Sequence, residues 1–374
     1  MVKLNNCWVE IDLGAIQHNI KQIVNLVDKS VKVMPIIKAE AYGHGLIEVA
    51  KACKNEGIDA FGVATVEEGI RLRNEGIKGL ILVLYDTPSD RIDQAILYDL
   101  SLSLYSKNFA KVLGNEAEKQ KKKSKVHLAV DTGMSWYGLP IDKVLDFAKE
   151  LNSLKAIEIE GIYSHCPQAD SADSDKAFTK NQIQKFNNVI VELERNAISL
   201  KYCHMANSAA TISLPQSHFN MVRPGIMLYG ICPDNVDKSK VDLKPALSFK
   251  TRIIQIRDIS KNTPIGYSGT FTTKRNSKIA ILPIGYSDGV SRFLSNKGEV
   301  IINSQKFPVV GNVCMNIMMV DITDGVNINT GDEVTILGTE GKISISANDI
   351  AKTRNTISYE VLTNLGINNQ RIYH

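Results

Sequence analysis

The chain has 374 residues, of which 44% are hydrophobic and 22% charged, a composition typical of a globular protein with about two domains. Lys and Arg together number 44 and Asp and Glu 40, so the formal charge is only +4, which argues against nucleic acid or a membrane surface as a partner. The six cysteines form no C-x-x-C pair, which argues against a metal site of that kind and favours a reducing compartment. With no apolar run of membrane-spanning length and no signal peptide pattern, we expect a cytoplasmic protein.

The N-terminal two thirds of the sequence alternate short β-branched runs with longer amphipathic stretches, such as the predicted helices 66–75 and 175–197. This alternation indicates consecutive βα units around a parallel sheet. The predicted strands are 33–38, 60–65, 80–85, 101–105, 125–131, 157–163, 202–205 and 221–228. Eight strands favour an α/β fold of the (β/α)8 TIM-type barrel, and an open doubly wound sheet is the alternative.

After about residue 245 the pattern changes to period-two strands and turn dipeptides. The predicted strands there include 247–259, 278–283, 299–302 and 333–337, and helical periodicity returns only at 346–365. The polar segment 231–245 is the predicted linker. We therefore predict a barrel domain at 1–240, with residues 1–10 as candidates for the second domain, and a C-terminal all-β domain at 241–374.

Polar residues follow several predicted barrel strands at the end where barrel enzymes build their active sites. Lys38 closes the first strand, where partial desolvation favours the amine form that makes a Schiff base, although a lysine that only reaches solvent is the alternative. Ser208 before a short helix and Gly225 near the last strand can present a hydroxyl and N–H groups to a phosphate. A lysine together with a phosphate cradle indicates pyridoxal phosphate.

Several motifs in consistent order give the chain a resemblance to the alanine racemase family over nearly its whole length. The matching stretches are residues 8–13, IKAEAYGHG at 37–45, DTGM at 131–134, ANSAAT at 206–211, VRPGIMLYG at 222–230, IGYSGT at 265–270, LPIGYSDG at 282–289, GNVCMN at 311–316 and TISYEV at 356–361. The resemblance implies a pyridoxal 5'-phosphate enzyme with an N-terminal barrel and a C-terminal β domain. It also implies a homodimer in which each site is completed by the partner's C-terminal domain.

The resemblance assigns two catalytic bases and a ring-nitrogen partner. Lys38 is similar to the lysine that binds the cofactor and acts on the D-enantiomer, and Tyr267, from the other subunit, is similar to the base for the L-enantiomer. Arg223 matches the arginine that faces the pyridine nitrogen, and because arginine keeps its proton, that nitrogen stays unprotonated. His165 resembles the histidine that links Arg223 to Tyr267, with a structural histidine as the alternative.

The remaining implied contacts fall into two groups. The other cofactor contacts are Tyr42, Ser208, Gly225, Ile226 and Tyr359. The residues implied to face the substrate or its entrance are Met315, Tyr286 and Trp136. No metal ligand is implied.

Four positions depart from the family pattern. Ala129 and Trp136 stand where members commonly carry a lysine and an arginine that holds the cofactor phenolate and the substrate carboxylate. Asn316 replaces a usual Asp, and Glu40 a usual Asn or Asp. Loss of a desolvated charged donor typically costs a few kcal/mol, so substrate affinity or preference is expected to differ. Trp136 either stacks on or narrows the pocket, or packs between loops.

The expected function is interconversion of L-alanine and D-alanine, supplying D-alanine for peptidoglycan. A racemase for serine or another small amino acid is one alternative, although a bulky ring at Tyr359 favours alanine. A non-catalytic pyridoxal phosphate carrier is another, but such single-domain barrels lack the region that holds Tyr267. A decarboxylase of the same architecture is a third, and its glycine-rich phosphate loop and cysteine motif are not evident.

Overall fold

The computed structural model describes residues 5–173 and 176–374. The backbone forms two compact units. The barrel unit comprises Ala15–Ala41 and Leu46–Lys244, and the β unit comprises the residues up to Gly14, the short segment Tyr42–Gly45 and Pro245–His374.

Strands and helices follow one another along the described chain as follows. The strands are β1 (Cys7–Ile11), β2 (Lys32–Val33), β3 (Ala60–Val63), β4 (Leu80–Val83), β5 (Ser101–Leu104), β6 (Ser124–Asp131), β7 (Leu139–Pro140), β8 (Ile157–Tyr163), β9 (Tyr202–His204), β10 (Met221–Val222), β11 (Leu247–Arg252), β12 (Gln255–Ile259), β13 (Pro264–Ile265), β14 (Phe271–Thr272), β15 (Ser277–Leu282), β16 (Glu299–Ile302), β17 (Gln305–Pro308), β18 (Met318–Asp321), β19 (Glu333–Glu340), β20 (Ile343–Ile345) and β21 (Gln370–Tyr373). The helical segments are α1 (Leu13–Leu26), α2 (Lys38–Tyr42), α3 (Leu46–Asn55), α4 (Val66–Asn74), α5 (Ile92–Leu97), α6 (Lys107–Lys119), α7 (Val144–Asn152), α8 (Ala177–Arg195), α9 (Ser208–Ser213), α10 (Ala347–Arg354) and α11 (Ser358–Asn368).

The barrel unit is built on eight parallel strands in the order β2-β10-β9-β8-β6-β5-β4-β3. A single parallel bridge between Ile36 and Gly62 closes the ring. The residues of β3, β4 and β5 are all buried, as expected for strands covered on both faces. The predicted (β/α)8 barrel is confirmed, and the open doubly wound sheet is excluded because the first and last strands of the sheet meet.

The first and last predicted barrel strands are shorter than expected. β2 ends at Val33, because Pro35 has no N–H for the ladder, although the N–H of Met34 still donates to Val222 O. β10 ends at Val222, since Pro224 and Gly225 follow and the chain then forms a 3-10 turn at Ile226–Tyr229. The prediction of a strand over 221–228 was therefore wrong beyond its first two residues.

The helix predictions of the barrel unit hold. The predicted helix 66–75 is α4, which begins after Thr65, whose side chain accepts the N–H of Glu68 as an N-cap. The predicted helix 175–197 is α8, and residue 175 lies outside the described residues. Both helices place an apolar stripe against the strands, which is what the amphipathic pattern indicates.

The β unit contains three sheets. The largest follows the path β17-β16-β19-β11-β1-β21, with β20 paired to β19. In it β1, next to the end strand β21, is antiparallel to β11 and parallel to β21, so the N-terminal strand pairs between segments far away in sequence. The smaller sheets are β12-β15-β18 and β13-β14, and a cluster of Ile265, Ile279, Val310 and Met319 connects them in one apolar core. The C-terminal β region is thus confirmed.

Two predictions in the β unit need correction at their boundaries. The predicted strand 247–259 is divided into β11 and β12, with a break at Ile253 and Ile254. The helical run 346–365 is two helices, because Asn355 adopts the left-handed conformation (φ 53°) that ends α10. The predicted linker contains one short 3-10 turn, Lys238–Lys240.

Among residues 5–173 and 176–374, no helix has the length and hydropathy that are required to cross a bilayer.

Candidate active site

Lys38 lies five residues beyond the end of β2, at the start of a left-handed turn. Ile37 is fully buried, and the three residues after Lys38 have φ values of 53°, 54° and 52°. Left-handed backbone costs non-glycine residues roughly 1–2 kcal/mol each, so a turn of this kind forms only where its surroundings hold it. The expectation that Lys38 closes a regular strand was wrong in this detail.

The carboxylate of Glu68 holds the turn. Its Oε1 accepts the N–H of Ala39 at 2.7 Å, and its Oε2 accepts the N–H of Ala64 at 2.7 Å. Arg71, one helical turn further along α4, forms an ion pair with Glu40. Glu68 thereby ties the backbone beside Lys38 to the end of β3. The spacing of Thr65 and Glu68 matches a capping box, and that signal could have identified Glu68.

A cluster of tyrosines, which sequence reasoning did not identify, surrounds the Lys38 amine. Lys38 Nζ donates to Tyr85 Oη at 2.5 Å and lies 4.7 Å from the centroid of that ring. The ring of Tyr137 lies 6.1 Å from Tyr85 and 5.2 Å from Tyr105. Burial, with nearby Asp86, raises the pKa of Tyr105 to about 12. Each tyrosine follows a barrel strand directly or by a few residues, and that shared position is the signal for them.

Ala129 and Trp136, two of the positions that depart from the family pattern, differ in burial. Ala129 is buried on β6 opposite Tyr163 on β8, whose hydroxyl bonds to Leu84 O at 3.1 Å and to Ser103 Oγ at 2.8 Å. The Trp136 side chain is 69% exposed in the single chain. Packing of Trp136 between loops of its own chain is therefore excluded.

Among the described site residues of the barrel unit that carry a positive charge, Arg223 makes the most hydrogen bonds. It is 4% exposed, and Nη1 donates to His204 O at 2.9 Å and to His204 Nδ1 at 2.7 Å. Nη2 donates to Ser164 O at 2.6 Å, to His165 Nδ1 at 3.2 Å and to Met205 O at 3.5 Å. These contacts fix the guanidinium in a single orientation.

His165 is held as a neutral acceptor beside Arg223. Burial, together with the charges of Arg223 and Lys38, lowers the pKa of His165 to about 3. Because Arg223 can only donate, Nδ1 of His165 must accept, and the single ring proton lies on Nε2. His165 can therefore donate outward from Nε2. His204 is a second histidine on Arg223 that sequence reasoning missed, and its position just before the ANSAAT motif is the only signal for it.

Ser208, Gly225 and Ile226 come together as the sequence placed them. Asn207 caps the short helix α9 by accepting the N–H of Ala210 at 3.1 Å. Ser208 Oγ accepts the N–H of Gly225 at 2.9 Å and that of Met227 at 3.4 Å, on either side of Ile226. A hydroxyl beside converging backbone N–H groups has the donors that a phosphate requires.

The two tyrosines predicted to contact the phosphate are neighbours in the β unit. The Tyr42 and Tyr359 ring centroids lie 5.9 Å apart. Gly43 allows this approach, since it has a φ of 90° and a Cβ there would lie 2.6 Å from Leu362 O on α11. The segment after the left-handed turn therefore packs directly against the helix that holds Tyr359.

Tyr267, Tyr286 and Met315 lie on three connected loops of the β unit. Their side chains are 75%, 46% and 56% exposed, respectively, in the single chain. Asn312 Nδ2 donates to the carbonyl of Tyr267 at 2.8 Å, and the N–H of Tyr286 donates to Cys314 O at 3.0 Å. Asn316, which replaces the usual Asp, donates to Ser287 Oγ at 2.7 Å. We name these three loops, residues 265–269, 285–288 and 312–316, the exposed loop face.

The predicted site residues are thus divided between the two units. Lys38, His165, Ser208 and Arg223 belong to the barrel unit, with Gly225, Ile226 and Trp136. Tyr42, Tyr267, Tyr286, Met315 and Tyr359 belong to the β unit. Across residues 5–173 and 176–374, no group of three or more His, Cys, Asp or Glu side chains is suited to a metal ion.

Comparison with known proteins identifies the family. Residues 11–233 match the family model described as "Alanine racemase, N-terminal domain" and residues 246–373 the model described as "Alanine racemase, C-terminal domain". The chain belongs to the alanine racemase family. The alanine racemase of Methanococcus maripaludis is 43% identical over 98% of both chains.

Solved structures of alanine racemases agree with this assignment. One from Clostridium difficile 630 superposes with a TM-score of 0.94 at 36% identity, covering 99% of this chain and 96% of that one. One from Bartonella henselae, whose description names covalently bound pyridoxal phosphate, has a TM-score of 0.87 at 29% identity, covering 99% and 100%. The predicted family, fold and enzyme class of an amino-acid racemase are confirmed, and the family's pyridoxal phosphate dependence agrees with the predicted cofactor.

The position of Glu68 in this alanine racemase family member leads to a stability prediction. Glu68→Gln keeps the size of the side chain but replaces one acceptor oxygen by an NH2 group that faces a backbone N–H. We expect the free energy of unfolding to fall by about 1–3 kcal/mol and the Ala39 and Ala64 amides to exchange faster with solvent.

Denaturant unfolding and amide hydrogen exchange test this prediction. The matched control is Glu67→Gln, since Glu67 is the preceding residue and forms an ion pair with Arg91 at 3.0 Å on the surface. That change is expected to stay within about 0.5 kcal/mol. Equal behaviour of the two variants would contradict the assigned role of Glu68.

Proposed function

We propose that the protein is a pyridoxal phosphate-dependent racemase that interconverts L-alanine and D-alanine. The observation that supports this most directly is the set of groups gathered in the barrel unit. A fixed, buried Arg223, a neutral His165 and the Ser208 cradle occur in the same unit as a half-buried lysine amine. This donor set fits the cofactor's ring nitrogen, phosphate and aldehyde.

The residues that would hold the cofactor follow from that fit. Lys38 would bind it covalently through its amine, and Arg223, with His165 beside it, would face the ring nitrogen. The phosphate contacts in this proposal are Tyr42, Ser208, Gly225, Ile226 and Tyr359. When bound, pyridoxal phosphate withdraws electrons from the substrate and makes its α-proton acidic.

Arg223 restricts the reaction to proton exchange. Its guanidinium keeps its proton, because five hydrogen bonds to carbonyls and imidazoles fix it as a donor. A guanidinium can donate a hydrogen bond to the ring nitrogen, but it does not transfer its proton to that atom. By holding that nitrogen unprotonated, Arg223 would disfavour transamination.

Racemisation requires a proton to leave one face of the α-carbon and to return on the other. We assign the face that yields or consumes the D-enantiomer to Lys38. The opposite face is assigned to Tyr267 of the partner subunit, which His165 links to Arg223. Met315, Tyr286 and Trp136 line the substrate side and its entrance in this proposal.

A homodimer follows from the same assignment. Large side chains of the exposed loop face are strongly exposed in the single chain, namely Tyr267 at 75%, Met315 at 56% and Tyr286 at 46%. Burial of such a side chain contributes roughly 1.5–3 kcal/mol, which supports a partner copy at the exposed loop face. Residues 1–240 would then act as the cofactor domain, and residues 241–374 would complete the partner's site.

Two features of the chain bear on the size of the substrate side chain. Tyr359, near Tyr42, favours a methyl-sized side chain, while the neutral surroundings created by Ala129 and Trp136 keep serine or another small amino acid as the second candidate. We infer a cytoplasmic enzyme that supplies D-alanine for peptidoglycan. A cofactor carrier is disfavoured, because it has no use for a β unit that presents Tyr267.

A substitution at Lys38 tests the covalent anchor. Lys38→Ala should abolish the visible absorption band of the bound cofactor and lower the rate of α-proton exchange of L-alanine in deuterated water by at least about a thousandfold. Lys32→Ala is the matched control, because Lys32 forms a surface ion pair with Asp59 at 2.9 Å. If the Lys38 variant retained the absorption band, Lys38 would not be the covalent anchor. If the wild-type chain exchanged the α-proton of none of a panel of L-amino acids, the proposed racemase function would be wrong.

Mixed dimers test the shared site. Lys38→Ala and Tyr267→Phe chains are each expected to be inactive as homodimers, but a mixed dimer has one site with both native residues if the tyrosine comes from the partner. A random mixture should therefore recover about one quarter of the wild-type activity. The activity of mixtures is measured after unfolding and refolding together. No recovery by mixed dimers isolated with two affinity tags would contradict a shared site.

A further inference from the structure

A row of buried polar side chains leads away from Arg223 into the barrel unit. His204 on β9 accepts from Arg223 through Nδ1, and its Nε2 lies 2.7 Å from Nδ1 of His127 on β6. Nε2 of His127 faces Glu160 on β8 at 3.6 Å from Oε2, a charge contact longer than a hydrogen bond, and this atom has no hydrogen-bond partner among the described residues. The two imidazoles are fully buried, and Glu160 is 7% exposed. Two histidines on β6 and β9 thus lie between the Arg223 guanidinium, which follows β10, and the Glu160 carboxylate on β8.

The chemistry at the two ends fixes the direction of every proton in the row. Arg223 can only donate, so Nδ1 of His204 accepts and the ring proton of a neutral His204 lies on Nε2. That proton is donated to Nδ1 of His127, whose own proton then lies on Nε2 and faces the Glu160 carboxylate. The opposite set of tautomers would place two N–H groups against each other between Arg223 and His204.

The surroundings of Glu160 favour the ionised form of its carboxylate. Ser101 Oγ donates to its Oε2 at 3.0 Å, and Lys201 Nζ lies 3.3 Å from its Oε1. Burial opposes ionisation, but the hydrogen bonds and the nearby charges outweigh it and lower the pKa of Glu160 to about 2. Burial also lowers the pKa of His127, against the opposing effect of Glu160, and lowers that of His204, which favours neutral rings. None of the five hydrogen bonds of Arg223 ends on a carboxylate, and Glu160 lies at the far end of the row, beyond the two rings.

Packing holds the rings in this arrangement. Gly161 faces His127 across the strand pair, and a Cβ at Gly161 would lie 2.7 Å from His127 Nδ1. The Tyr163 ring is stacked on His204 with centroids 5.3 Å apart, and Arg223 Cζ lies 5.3 Å from the same ring. Rotation of either imidazole would require these neighbours to move.

We propose that His204, His127 and Glu160 form a directional hydrogen-bond relay that positions Arg223 for the ring nitrogen of the cofactor. They are positioning residues, since they act only through Arg223, and the inference rests on the proposed function of Arg223. The relay keeps Nδ1 of His204 as an acceptor, which holds the guanidinium in one orientation. Without the relay, His204 could present an N–H to Arg223 and displace it.

Histidine tautomers in the wild-type protein test the relay without any substitution. The chain has seven histidines, so ¹⁵N-histidine labelling gives a short set of signals. We expect long-range ¹H–¹⁵N spectra to show His127 and His204 as neutral rings protonated on Nε2, both with and without bound cofactor. A proton on Nδ1 of either ring, or a charged ring at neutral pH, would overturn the relay.

Two substitutions of His127 test its effect on Arg223. His127→Leu removes the acceptor for His204, whereas His127→Asn returns an acceptor oxygen near the position of Nδ1. With ¹⁵N-labelled cofactor, the leucine variant should show a changed ring-nitrogen chemical shift and a ratio of transamination to racemisation raised by about tenfold. The asparagine variant should restore both values towards wild type. His218→Asn is the matched control, because His218 is a buried histidine outside the relay, bonded to Thr211 O at 2.9 Å.

The outcomes separate this inference from the proposed function. If the wild type racemises alanine but the leucine and asparagine variants share the wild-type ring-nitrogen shift and transamination ratio, the relay is wrong and the proposed function stands. If the wild type neither binds the cofactor nor racemises, the positioning role falls with the proposed function, whatever the tautomers are. If the leucine variant fails to fold in a thermal melt, the wild-type tautomers and the asparagine variant decide.

Discussion

The barrel unit depends on keeping one permanent positive charge in its interior. A guanidinium cannot lose its proton to reduce the cost of burial, so the protein around Arg223 must supply acceptors for its N–H groups. Three of these acceptors are main-chain carbonyls of Ser164, His204 and Met205, at the ends of β8 and β9. The others are ring nitrogens, which accept only while the rings are neutral. The same buried charge therefore requires carbonyl acceptors at the ends of two neighbouring strands. It also requires two histidine rings to be neutral.

The second constraint is local and acts on the backbone at Lys38. A lysine at the end of a regular strand would have freedom to reach solvent, but the left-handed turn redirects the chain immediately after it. That turn is unfavourable for alanine and glutamate, and it persists because Glu68 uses both carboxylate oxygens on backbone N–H groups that the turn and β3 leave unpaired. Two hydrogen bonds from Glu68 on α4 thus offset the strain of the backbone. Position and orientation of the amine follow from this balance rather than from the strand.

The sequence was sufficient for the fold and for the residues in recognisable motifs, and it failed where a contact is made between distant segments. Strand periodicity located eight barrel strands, because each is a continuous buried run. It could not show that Pro35 and Pro224 shorten the first and the last, since main-chain pairing depends on the neighbouring strand. Lys38, Ser208 and Gly225 were identifiable from position and motif. His204, His127 and Glu160 were not, because each is an ordinary inward-facing strand residue until the sheet register brings the three together.

The absence of two cations near the cofactor site can be understood from the same electrostatics. A lysine at Ala129 and an arginine at Trp136 would add positive charge to a unit that already contains Arg223 and Lys38. In their absence, the groups close to the Lys38 amine are neutral hydroxyls, of which Tyr85 bonds the amine directly and Tyr137 bonds Leu84 O at 3.0 Å. Neutral hydroxyls can still donate to a substrate carboxylate, but without the strength of a charged pair. Under the proposed function, selection of a substrate would then depend more on shape, which would place greater weight on Tyr359 and on the exposed Trp136.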